Sequence, residues 1–234
     1  MPPRLVVGSV FGHTPLTNAL ERAGHTIIPI DADDDPGAIV HVDLVVLDGG
    51  VGQVRWGVEK LEAHARPQQM FLHTALEAGA QLLDDVETAH AIVMCAHNVF
   101  GDVWVTSAAD ELGESVLGLL VAELGGINIP IADTARPALV AAQRLRALEH
   151  ILRIDAHALT TTASPDIAAL EEQFFSAPRG PLEDLTPAEL DRIADAIADP
   201  GVRRLYVDVE RRYAEQAQAT DAELWAYAKY EGTI

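Results

Sequence analysis

The stretch VVGSVFGHTPLTNALERAGHTIIPID, residues 6–31, decides the fold. An apolar run ends in a glycine-bearing turn. Thr14-Pro15 then supplies an N-cap and a first-turn proline, so a helix is expected over about 15–23, with Gly24 as its stop. A second apolar run, 26–31, ends in an acid. Strand, helix and strand in this order make a βαβ unit, the repeating piece of a parallel sheet. The turn departs from the dinucleotide-binding fingerprint G-x-G-x-x-G. Counted from Gly8, Val10 replaces the second glycine and His13 the third, and Pro15 removes an N–H from the first helical turn. Asp31 stands 23 residues after Gly8, close to the ~20 at which a carboxylate meets the ribose hydroxyls of NAD. Asp33, Asp34 and Asp35 crowd the same loop, so a plain turn acid is the alternative reading.

Outward from this unit the alternation continues. VDLVVLDGG (42–50) is a continuous apolar run of the kind buried in parallel sheets, and VGQVRWGVEKLEAHA has the length of its crossover helix. QQMFLHTA and AHAIVMCAH read as further strands, and DVWVTSA as a strand that leaves the parallel run. ADELGESVLGLLVAELGG reads as a helix with a glycine stop, and INIPIAD as the closing strand. The expectation is a Rossmann-type doubly wound parallel sheet, an α/β domain over residues 1–132. From Asp133 the pattern turns all-helical. TARPALVAAQRLRALEHILRIDAHAL (134–159) is one long helix, Ser164-Pro165 opens another, and TPAE (186–189) is a capping box with proline at its first helical position. Residues 133–234 are therefore expected as a small helical domain. Its apolar stripes, for example Leu139, Ala142, Leu145 and Leu148, exceed what so small a domain buries, so a homodimer through this part is expected.

Composition narrows the functional classes. The 234 residues are 49% hydrophobic but only 5% aromatic, so the core must be aliphatic. A formal charge of −20, from 36 acids against 16 bases, repels phosphate backbones and anionic lipid. Nucleic acid and membrane are poor partners; a small anion remains possible where a few arginines focus in a pocket. The single Cys95 allows no internal disulfide and suits a reducing cytoplasm. No signal peptide or transmembrane run is visible, so a cytoplasmic protein is expected.

His97, directly after an apolar run in MCAHNVFGDVWVTSA (94–108), lies at the carboxyl edge of the expected sheet, where ligands bind in this architecture. HNVFG (97–101) resembles the HPMFG element of prephenate dehydrogenases and stands at the right distance after the fingerprint. The strand, helix, glycine pair and strand that follow match that family in order. AAQRLRALEHI (141–151) resembles its QALRHF helix, and FFSAPRGPLEDLTPAELDRIADAIADPGVRRLYVDV resembles its helical domain in spacing. The resemblance spans about residues 4–213 and is carried by order and spacing. It implies an NAD(P)-dependent oxidative decarboxylation of prephenate or a close analogue, arogenate or 4-amino-4-deoxyprephenate, each a small dicarboxylate substrate. His97 would take the proton from the ring hydroxyl, a hydride would pass to the nicotinamide, and loss of carbon dioxide would make the ring aromatic. Arg146 would anchor a substrate carboxylate, with Thr74 also at the substrate; Arg144, two positions away, points off that face. Gly8, Ser9, Val10, Phe11, Asp31, Asp48 and Gly49 would serve the cofactor. NAD is expected over NADP, because Asp31 would repel a 2′-phosphate and no Arg or Lys lies between Arg22 and Arg55. No metal is expected.

The sequence also departs from that family. The serine of the family's D-x-A-S-V-K element falls on Leu76, with Thr74 and His73 as the nearest substitutes. The proline after the histidine is Asn98, and the histidine after the arginine is Ala147. A VP pair is replaced by DGG (48–50), which sets the Asp48 carboxylate near the expected cofactor. Three alternatives stay open: a homologue that has lost hydride transfer and serves as a binding or regulatory protein, a non-redox enzyme using His97 as general base, and a reductase of the related 6-phosphogluconate dehydrogenase-like group.

Overall fold

The structure, a computed structural model, describes residues 4–30, 34–164, 166, 173 and 185–231. The chain divides into two units, residues 1–145 and 146–234.

In the first unit, seven strands among the described residues form one sheet. They are β1 (Val6–Ser9), β2 (Thr26–Pro29), β3 (Leu44–Leu47), β4 (Met70–His73), β5 (Ile92–Phe100), β6 (Val103–Ala108) and β7 (Ile127–Pro130), in the order β2-β1-β3-β4-β5-β6-β7. β1 to β5 run parallel; β6 pairs antiparallel with β5, and β7 is parallel to β6. The antiparallel step is dictated locally. Only two residues separate β5 from β6, with Gly101 at φ +52°, and a parallel partner would need a crossover of a dozen residues or more. DVWVTSA thus leaves the parallel run, as its sequence suggests.

Helices cover both faces. α1 (Pro15–Ala23) and α4 (Glu111–Glu123) pack on one, α2 (Val51–Leu61) and α3 (Asp84–Glu87) on the other. The four residues of β3 are all buried, and they alternate: Leu44 and Val46 join Leu16, Leu20 and Leu117, while Val45 and Leu47 join Val54, Val58 and Val86. A strand buried on both faces needs an unbroken aliphatic run, and LVVL supplies it. α1 begins at the Thr14 cap and stops at Gly24, whose φ of +105° is left-handed. Because β1 lies between β2 and β3, the winding reverses beside it, which opens a crevice at the strands' carboxyl ends.

The helix α5 (Arg136–Ala163) runs through the boundary between the units. In the second unit α6 (Pro187–Ala196), α7 (Pro200–Ala217) and α8 (Thr220–Glu231) share a core of Leu190, Ala194, Val207, Ala214, Trp225 and Ala226. The TPAE box forms as read, with the Glu189 carboxylate accepting from the Thr186 N–H at 2.9 Å. Trp225 Nε1 donates to Asp191 at 2.7 Å. The helix expected from Ser164-Pro165 falls mostly outside the described residues. Among the described residues no helix is long and apolar enough to cross a membrane.

Candidate functional site

Three adjacent parallel strands deliver polar side chains to one edge. Asp48 follows β3, Thr74 follows β4, and His97 stands late in β5. The Thr74 hydroxyl donates to Asp48 Oδ1 at 2.6 Å. Its backbone carbonyl accepts from His97 Nδ1, also at 2.6 Å. A carbonyl can only accept, so Nδ1 carries the proton and the neutral ring's lone pair is on Nε2. That lone pair faces the side-chain amide of Gln143 on α5, 3.2 Å away. The structure thus joins Asp48, Thr74 and His97, three residues expected at the site, in one hydrogen-bonded line, and adds Gln143. His97, Thr74 and Asp48 are each half-buried.

A second polar group centres on two buried side chains, Arg136 and His73. The Arg136 side chain is 1% exposed. Its Nε donates to Asp133 Oδ1 at 2.9 Å, Nη1 to the Leu76 carbonyl at 3.2 Å, and Nη2 to Ser107 Oγ at 2.6 Å. It therefore ties the segment after β4 to β6 and to the start of α5. His73, inside β4, accepts from the Ala75 N–H at Nδ1 and donates from Nε2 to the Gly79 carbonyl. Burial holds its pKa down at about 4, so it is neutral and structural. Burial likewise pushes the Cys95 thiol up to about 11, which leaves it unreactive. His73 is thus occupied in the core and Leu76 is buried, leaving Thr74 as the residue of that segment at the site. His25 is structural too, accepting from Leu5 N–H and bonded to Glu123.

The β1–α1 turn is where the fold would place a dinucleotide's pyrophosphate. Gly8 lies within β1, and a Cβ there would meet Ile30 Cδ1 at 2.7 Å, so its missing side chain has a packing reason. The Ser9 hydroxyl donates to the Gly12 carbonyl, closing the turn. Val10 is buried, and its N–H extends the ladder to Val46. Phe11 rests against Trp56 of α2, ring centroids 6.2 Å apart. Gly12 has φ +71° with open space where a side chain would be. At the head of α1, Pro15 has no N–H, and the Thr17 N–H is capped by Thr14 Oγ1. The turn therefore fits a dinucleotide with a thin grip: an open Gly12 and few free amides. Gly49 sits under Gln53, in the turn that starts α2. Asp31 lies outside the described residues. Arg146 is exposed on the part of α5 that belongs to the second unit. Among the described residues no group of three or more His, Cys, Asp or Glu could hold a metal ion.

Two contributors escaped the sequence reading. Arg136 left one faint signal, a cation in the first turn of a helix, where the macrodipole disfavours it and a tertiary partner is needed. Gln143 left none.

Residues 132–229 match the model of the 6-phosphogluconate dehydrogenase C-terminal domain-like family. A search of curated proteins gives no match. Among solved structures, a Bacteroides fragilis protein assigned as an NADP oxidoreductase aligns at 16% identity and TM-score 0.66, over 91% of this chain and 98% of that one. An imine reductase from a Pseudomonas species aligns at 12% and 0.65, over 94% and 96%. The 3-hydroxyisobutyrate dehydrogenase of Mycobacterium tuberculosis aligns at 16% and 0.53, over 99% and 95%. The chain thus shares with these proteins a fold, a Rossmann-type sheet followed by a helical C-terminal region.

Proposed function

We propose that the protein is a nicotinamide-dependent oxidoreductase of a small carboxylate-bearing substrate, with His97 as its proton-transfer group. The observation that carries this reading is the line Asp48–Thr74–His97–Gln143 at the carboxyl edge of β3, β4 and β5, where a ligand is expected in such a sheet. A general base needs a lone pair that a substrate proton can reach and a second hydrogen bond that fixes its tautomer. His97 has the second in the Thr74 carbonyl, and among the described residues its lone pair at Nε2 is covered by the Gln143 amide alone. When it takes a proton at Nε2, the Thr74 carbonyl continues to accept from Nδ1, so the imidazolium keeps its orientation.

A bound nicotinamide dinucleotide would supply the hydride acceptor or donor. The turn of residues 10–14, the head of α1 and the Asp48-Gly49 turn would hold it. With Thr17 self-capped and Pro15 lacking an N–H, each missing donor weakens the phosphate grip by roughly 1 kcal/mol, about five-fold in affinity. The finer reading is oxidative decarboxylation of prephenate, arogenate or 4-amino-4-deoxyprephenate. It rests on HNVFG at residues 97–101 and on Arg146 as the carboxylate anchor that the resemblance of residues 141–151 implies. NAD is proposed over NADP on the strength of Asp31.

The same self-capped turn favours a second reading, a homologue that has lost hydride transfer and only binds. Calorimetric titration with NAD⁺ and NADP⁺, followed by the three substrates with each cofactor at 340 nm, separates the two. Reduction of NAD⁺ by one of them supports the enzyme. Tighter NADP⁺ binding overturns the cofactor choice, and absence of binding by either dinucleotide overturns the oxidoreductase.

A further inference from the structure

We propose that Gln143 is a positioning residue that occupies the base lone pair of His97 until a substrate proton donor takes its place. The Thr74 carbonyl sits 2.6 Å from Nδ1 and can only accept, so Nδ1 is protonated and the neutral ring presents a lone pair at Nε2. Of the two ends of a glutamine amide, only the NH₂ can face that lone pair. The 3.2 Å contact is therefore an N–H donated by Gln143 to His97. With the amide turned this way, the contact is a hydrogen bond only when Nε2 carries no proton. Once Nε2 is protonated, two donors face each other, and the amide must rotate to present its oxygen or withdraw. Gln143 thus covers the Nε2 lone pair and holds the ring's aim at rest, and yields when a proton arrives. Its place on α5 suits this role, since the side chain is half-buried between exposed neighbours, Ala142 and Arg144.

The identity of what displaces Gln143 rests on the oxidoreductase reading; the hydrogen bond does not, and the two are tested separately. Nitrogen-15 NMR of the full-length protein, with His97→Asn for assignment, should show neutral His97 protonated at Nδ1, its Nε2 resonance displaced from the free lone-pair value. Gln143→Met keeps the length and bulk but cannot donate. It should leave Nδ1 protonated, move Nε2 toward the free value, and speed diethyl pyrocarbonate modification of His97, mapped by mass spectrometry, about five-fold, the worth of one net hydrogen bond. Gln143→Glu, an acceptor only, should bond the ring only when Nε2 carries a proton, so the neutral ring should lose the Nε2 displacement as it does in Gln143→Met. A neutral His97 protonated at Nε2 in the wild type overturns the proposal. So does a Gln143→Met protein whose Nε2 resonance and modification rate equal the wild type's. Failure of every substrate to react would sink the enzyme reading alone.

Discussion

Arg136→Met is the substitution whose cost follows most directly from the structure. The guanidinium is 1% exposed and makes three hydrogen bonds, to Asp133, the Leu76 carbonyl and Ser107. Charge-assisted bonds of this kind are each worth about 1.5–3 kcal/mol, but keeping a guanidinium out of water costs several kcal/mol in return. Removing one partner of such a pair usually costs about 3–5 kcal/mol. The Asp133 side chain is 46% exposed and regains water, which places the expected loss at the lower end, about 3 kcal/mol. Methionine fills the aliphatic part of the space, so the cavity contribution is small. Urea unfolding followed by the fluorescence of Trp56 and Trp104, both in the first unit, measures it; a Trp225→Phe background removes the second unit's signal. A loss below about 1 kcal/mol would refute the view that Arg136 ties the segment after β4 to β6. Arg136→Lys, which reaches only one of the three partners, should recover no more than a third of the loss.

His97→Asn should lower turnover by roughly 10²–10⁴ with little change in substrate affinity, read from kcat and KM separately. Arg146→Ala should raise KM or Kd without changing the urea midpoint, since the residue is exposed; a loss of stability like that of Arg136→Met would overturn its reading as a substrate anchor. His73 has a folded-state pKa of about 4 against 6.5 when unfolded. Between those values the unfolded chain binds more protons, so stability is full above pH 6.5 and falls by up to about 3 kcal/mol as the pH drops to 4. His73→Asn should flatten that part of the urea-midpoint profile against pH. A homodimer is expected from the apolar residues exposed along α5, Leu145, Leu148, Ile151 and Ile154 among them; a monomer by light scattering at micromolar concentration would exclude it.

Period and punctuation alone determined the sheet. Thr14-Pro15 and Gly24 bracket α1, LVVL reads as a strand buried on both faces, and DVWVTSA must turn back because too few residues precede it for a crossover. These are local features, set by steric and hydrogen-bonding preferences within a few residues, so the chain carries them openly. His97 was legible for a related reason: it stands late in an apolar strand, and a parallel sheet collects such positions at one edge; Thr74 and Asp48 came into view only through the family resemblance. Their wiring was not legible. That His73 is buried while Thr74 faces the site depends on the facing register of β4, and a one-residue slip would exchange them. Arg136 and Gln143 join the site from a helix 60 and 46 residues away in the chain from the groups they contact. No local pattern marks such partners, because what selects them is the desolvation of a charge and the lone pair of a ring, and both exist only once the strands and the long helix have packed.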